Sequence, residues 1–146
     1  MAANTAPIYT ISPHVEWGSE DGNGGAAGPL KTANTAKDGT GTVLTVFTAD
    51  VTNGSYIQEI RARAAGTNVA SVLRVFLNNG STNATIANNI LIAELPLPAT
   101  TLTEVAALSD YTIQLQRAIP AGYKLNVTLG TTVAAGYFVS CFGGNY

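Results

Sequence analysis

Charge is the scarcest property of this chain. Only 11% of its 146 residues are Asp, Glu, Lys or Arg, against about 25% in an ordinary soluble protein. The net charge of −2 and the pI of about 5.2 leave no basic cluster beyond Arg61 and Arg63. Recognition of nucleic acid through a basic patch is therefore not expected. No apolar run approaches the ~18 residues that a membrane helix needs, and no basic segment followed by an apolar core opens the chain. A membrane partner is not expected either. A single cysteine, Cys141, has no partner within the chain. It lies between Ser140 and Phe142 in an apolar run, where a buried, inert thiol is the expected state. The single histidine, His14, has no second histidine or cysteine at metal-ligand spacing.

Those shortages weigh against catalysis and against cofactors or metals. Gly22-x-Gly24-x-x-Ala27 matches a dinucleotide fingerprint in form, but Pro29 and polar residues follow it where a helix would have to begin. Asp21-x-Asn23 opens like a calcium loop, yet Gly25 stands at the third ligand position and no glutamate closes the loop. Glycoside hydrolysis needs two carboxyls about 5–10 Å apart. Glu59 is expected to be matched by Arg74, while Glu94, Glu104 and Asp110 fall near separate strand ends. The chain is expected to be no enzyme, with no catalytic, cofactor-binding or metal-binding residues.

In place of charge the chain carries Thr, Asn, Ser, Ala and Gly, with a mean hydropathy of +0.19. A lone monomer ordinarily keeps a more charged surface. Part of this surface is therefore expected to be covered by other chains. The competing reading is a neutral, Thr/Asn-coated monomer.

The clearest structural signal is alternation. Along Ser55–Ala64, Tyr56, Ile60, Ala62 and Ala64 share one face, and Glu59, Arg61 and Arg63 the other. Along Val69–Asn79, Leu73, Val75 and Leu77 oppose Arg74. This period of two predicts half-buried strands. Pairing Ala64 with Val69 over Ala65–Asn68 makes a hairpin, with Ile60 opposite Leu73, Glu59 opposite Arg74, Arg61 opposite Val72 and Ile57 opposite Phe76. Its outer stripe of Ile57, Arg61, Arg63, Val72 and Phe76 is too apolar for free solvent. It predicts either a packing face for a second sheet or a protein–protein contact.

Further strands are expected over Thr42–Thr48, Ile90–Leu95, Tyr111–Leu115, Tyr123–Leu129 and Tyr137–Phe142. The Tyr111 and Tyr123 strands are read as a second hairpin over Ile119-Pro120-Ala121-Gly122. The last strand, apolar on both faces, is expected to be central or pressed against a neighbour. Thr101 with Glu104 imitates a capping box and offers the one place for a helical turn. The fold class is all-β: an antiparallel β-sandwich of about eight strands, with the jelly roll as the expected variant. Residues 1–30 read as an N-terminal arm with a Gly-rich loop, and 31–146 as the sandwich domain. Ile8–Ile11 and Val15–Trp17 are each expected as a short strand, interrupted by Pro13 and followed by five glycines and a proline from Gly18 to Pro29. An arm that carries Tyr9 and Trp17 can dock on a neighbour, or form an edge strand followed by a surface loop. Both readings stay open.

Three segments carry a resemblance. They are Thr32 to Thr82 (TANTAKDGTGTVLTVFTADVTNGSYIQEIRARAAGTNVASVLRVFLNNGST), Ile119 to Tyr137 (IPAGYKLNVTLGTTVAAGY) and the ending CFGGNY. Together they resemble small β-rich virion proteins of tailed bacteriophages, most of all the capsid decoration (cement) proteins of cyanophage-type viruses. The resemblance runs from Thr32 to the C terminus. It implies a β-sandwich that assembles as a homotrimer on the outer capsid surface, bridging major capsid proteins. Residues 1–30 fall outside it. The alternative is a receptor- or carbohydrate-binding module of a phage tail fibre, with Trp17 and tyrosines as stacking platforms. Tyr9, Trp17, Ile57, Arg61, Arg63, Val72 and Phe76 are the expected interface residues.

Overall fold

A computed structural model describes residues 9–17 and 29–146. The Gly-rich run 18–28 and Ile8 lie outside the described residues, as do the fingerprint-like and calcium-loop-like segments. Among the described residues eight strands follow in chain order: β1 (Ser12–Trp17), β2 (Leu44–Thr48), β3 (Ser55–Ala64), β4 (Ser71–Asn78), β5 (Asn89–Leu97), β6 (Asp110–Ile119), β7 (Lys124–Leu129) and β8 (Tyr137–Asn145). They form two four-stranded antiparallel sheets, ordered β1-β8-β3-β6 and β2-β7-β4-β5. The pairs 4–5, 3–6, 2–7 and 1–8 nest inside one another, as in a chain folded in half and wound into a jelly roll. Among the described residues the only helix is the 3₁₀ turn Ile86–Asn88. The Thr101–Glu104 segment forms no helix; Thr103 Oγ1 there accepts from Ala106 N at 3.1 Å.

Both expected hairpins are overturned. β3 and β4 follow each other in sequence but belong to different sheets, and so do β6 and β7. β3 pairs with β6 and β8 instead, and β4 with β5 and β7. Alternation predicts which side chains point inward, and beyond the bulge at Ile57/Glu59 the expected set is buried: Ile60, Ala62, Leu73 and Val75 are all fully covered. It carries no information about which strand lies alongside. Apolar Ile60 and Leu73 are satisfied equally well by meeting across the core or within a sheet.

The core is built from these inward faces, with Leu44, Val46, Phe47, Leu125, Val127, Leu129, Tyr137, Val139 and Cys141 among its members. Each fully buried large side chain contributes about 1.5–3 kcal/mol. Tyr137 stands edge-on to Tyr111, with centroids 6.4 Å apart.

The segment read as an arm contains an edge strand, which runs through Pro13 instead of breaking there. β1 pairs with β8 alone, so Pro13 costs no ladder bond on its free side. His14 and Glu16 turn inward. His14 lies against the Phe47 ring at 4.4 Å, with Nε2 2.7 Å from Glu16 Oε1 and Nδ1 2.8 Å from Asn145 Oδ1. Glu16 Oε2 accepts from Thr48 N of the facing sheet at 2.9 Å, closing one corner of the sandwich.

The crossings between sheets are held by asparagines. Asn68, nearly fully buried, lies in the β3–β4 crossing. Its Oδ1 accepts from Ala135 N and Gly136 N, both at 2.8 Å, and its Nδ2 donates to Gly136 O at 3.0 Å. Its backbone exchanges two bonds with Thr100, of 3.0 and 2.9 Å. One residue thus joins three loops, its side chain holding the 135–136 loop and its backbone the loop at Thr100. Truncating it strands buried backbone groups, so Asn68→Ala is expected to lower unfolding free energy by about 3 kcal/mol. Urea denaturation measures this, and a change within error would show that the junction is held by something else.

Candidate functional site

The outer faces of the two sheets differ. On the β1-β8-β3-β6 sheet the register sets Trp17 beside Ser140 and Ser140 beside Arg61. Val15 lies beside Phe142 and Phe142 beside Glu59, while Phe138 pairs with Arg63. With strands about 4.8 Å apart, Trp17, Val15, Phe138, Phe142, Arg61 and Arg63 share one contiguous face. Val15 is 46% exposed, Trp17 56% and Phe138 51%. About half of each of these large side chains meets water within a single patch.

The arginines are positioned rather than loose. Glu59 Oε1 lies 3.1 Å from Arg61 Nη2, and Glu59 Oε2 accepts from Gln114 Nε2 at 2.6 Å. The Arg61 guanidinium consequently rests over the Phe142 ring, 5.6 Å from its centroid. Arg63 reaches Asp110 at 3.6 Å, in a solvent-exposed pair that adds little stability. Aromatic and arginine side chains on a face whose charges are paired form the composition of a protein-binding surface.

Of the expected interface residues, the structure brings together Trp17, Arg61 and Arg63. Tyr9 is 76% exposed, just before β1. The single stripe is not formed. Ile57 is fully buried, because the register slips by one residue between Ile57 and Glu59 against both β6 and β8. That bulge turns Ile57 inward. Phe76 does face outward from the other sheet, but the 36–42 loop covers it. A Cβ at Gly39, whose φ is +84°, would lie 3.0 Å from Phe76 Cδ1. Val72 is half-buried on that same second sheet. Neither Ile57 nor Phe76 is available to a partner.

The face also contains Val15, Phe138 and Phe142, which sequence reasoning missed. Their signal was the double-sided apolar character of β8, which is indeed central, between β1 and β3. Glu59, expected opposite Arg74, pairs with Arg61; Arg74 Nε instead donates to Glu94 Oε1 across β4–β5 at 2.8 Å. A second apolar strip runs along the free edge strand β5, where Ile90 is 61% and Leu91 43% exposed, beside the exposed Ile86.

Among the described residues no group of three or more His, Cys, Asp or Glu is placed to hold a metal ion. None of their helices is long and apolar enough to cross a membrane. No protein family, curated protein or solved structure matches this chain.

Cys141 lies on the inner face of β8, fully buried. Burial, and secondarily the Glu16 carboxylate, push its thiol up to about 12. The folded protein therefore keeps this proton between the ordinary thiol range and about 12, and its stability falls as pH climbs through that window. Because the thiolate is the nucleophile, iodoacetamide at about pH 8.5 is expected to leave the native protein unmodified and to label it after denaturation. Mass spectrometry reads the adduct. Rapid labelling of the native chain would show that β8 opens to solvent.

Proposed function

We propose that this chain is a non-enzymatic virion protein of a tailed bacteriophage: a capsid decoration protein that trimerises on the outer shell and binds the major capsid protein. The observation that carries the reading is the aromatic–arginine face of the β1-β8-β3-β6 sheet on a chain with 11% charged residues. Such a face favours a permanent contact over free solvent. The likeness of Thr32–Thr82, Ile119–Tyr137 and the CFGGNY ending to decoration proteins supports the same reading.

A decoration trimer needs two contacts that do not overlap, one to its own copies and one to the shell. The aromatic face and the apolar β5 edge lie on different sheets and meet that need. Modest contacts suffice when three copies engage together, because each further contact forms at high effective concentration. The exposed Trp17 also suits a stacking platform for sugars, the chemistry of a tail-fibre module.

Immunogold labelling of intact virions, with light scattering of the purified protein, tests the proposal. Gold over the head and a particle of three chains are expected. Gold on the tail alone would favour the fibre module, and unlabelled particles with a strictly monomeric protein would overturn the virion reading. Within the proposal, Trp17→Ala combined with Phe138→Ser is expected to weaken attachment to undecorated heads by about 2 kcal/mol per truncated anchor. A co-sedimentation assay measures the loss, and full retention would remove this face from the contact.

A further inference from the structure

The other sheet holds a cleft that a decoration role does not use. Beside the end of β7, Asn34 N donates to Leu129 O at 2.9 Å, which docks the incoming chain. Asn34 Nδ2 then donates to Thr40 O at 2.8 Å and Thr42 O at 2.6 Å, while its Oδ1 accepts from Ala36 N at 2.8 Å. The loop that carries Thr35 and Lys37 is thereby held at its base. On the opposite side, Ser71 Oγ donates to Thr131 O at 3.2 Å and accepts from Thr131 N at 3.1 Å.

Between these walls lies an open cavity of about 450 Å³, lined by Thr35, Lys37, Ser71, Val72, Arg74 and Thr131 among others. That volume falls within the ~300–1,000 Å³ range of small-molecule sites.

Arg74 is its organising group. Its side chain is only 16% exposed, and Glu94 takes its Nε. The guanidinium lies over Gly130, where a Cβ would sit 3.2 Å from Nη1 and 3.7 Å from Nη2. Glycine leaves room for it there. Among the described residues no carboxylate or carbonyl takes Nη1 or Nη2, and Lys37 has no acidic partner. Thr128, cross-strand from Arg74, has a buried Oγ1 with no hydrogen-bond partner among the described residues. A fixed planar fork, a nearby ammonium and hydroxyl-bearing walls are the chemistry that recognises a carboxylate on a small polar body.

We propose that this cleft binds the carboxylate of a small hydroxylated acid such as an acidic sugar. Two carboxylate oxygens meet Arg74 Nη1 and Nη2, Lys37 adds the second positive charge, and the Thr35, Ser71 and Thr131 hydroxyls face the ligand's hydroxyl groups. The site lies on the sheet opposite the aromatic face and stands or falls independently of the capsid proposal.

An amide NMR titration of the full chain tests it, with sodium glucuronate, uncharged methyl glucoside and sodium phosphate as separate probes. Glucuronate is expected to give saturable shifts at residues 34–37, 71–74 and 130–131, with a Kd of roughly 1 mM for one fork and one lysine in an open cleft. Methyl glucoside is expected to give none. Arg74→Gln is expected to abolish the shifts, but it also releases Glu94. Lys37→Gln, at an exposed position with no hydrogen bond to lose among the described residues, is the variant that leaves the fold alone, and it is expected to weaken binding roughly three- to tenfold. No saturable shift with glucuronate, unchanged affinity in Lys37→Gln, or phosphate bound in preference to glucuronate would each overturn the proposal.

Discussion

The constraint on which this structure depends is that, in all but one of its strand connections, the chain leaves one sheet and enters the other. Every such crossing removes backbone N–H and C=O groups from any ladder while keeping them close to the core, where an unpaired group is costly. Buried asparagines answer this. Asn68 supplies an amide that both donates and accepts, and it ties the β3–β4 crossing to the loops around Thr100 and Gly136. Asn34 does the same for the segment entering β2, through Thr40 and Thr42. Asn78 and Asn89 meet at 2.8 Å across the start of the β4–β5 pair, the one connection that stays within a sheet. The abundance of asparagine is thus partly structural: a neutral side chain stands in for missing ladder partners without bringing a charge into the interior.

The same scarcity of charge shapes the surface. Glu59 pairs with Arg61 and holds it over Phe142, and Arg63 pairs more loosely with Asp110, so the charges on this face are matched rather than spreading a field. On the other face Arg74 is fixed by Glu94 and the glycine beneath it. The two outer surfaces offer different chemistry. One presents aromatic anchors rimmed by neutralised charges. The other presents a guanidinium in a hydroxyl-lined cleft. An extended aromatic face suits a large partner and a cleft suits a small one, so the two need not compete.

Much of the fold is legible in the amino-acid sequence. The strands, the direction of most core side chains and the buried thiol follow from alternation and apolar runs, while the last strand reads as apolar on both faces and the topology makes it central. The surface is legible only in part. Trp17, Arg61 and Arg63 do share a face, but a bulge turns Ile57 inward and a loop from far upstream covers Phe76. Neither event leaves a mark in local periodicity. A bulge is one residue of extra chain, and the Gly39 loop meets Phe76 only because β2 and β4 belong to the same sheet.

Local sequence therefore sets the strands and, away from the bulges, their two faces, because alternation is written residue by residue and each apolar side chain must leave water whatever its neighbour. Pairing belongs to the folded chain alone. Ile60 and Leu73 sit on facing sheets rather than on adjacent strands, and Glu59 and Arg74 find other partners. An inward-facing apolar residue is satisfied by any apolar surface, so burial does not choose between a hairpin and a crossing. That choice is made where chain connectivity, closure of the β1–β2 corner through Glu16, and the Asn68 junction must all be met at once.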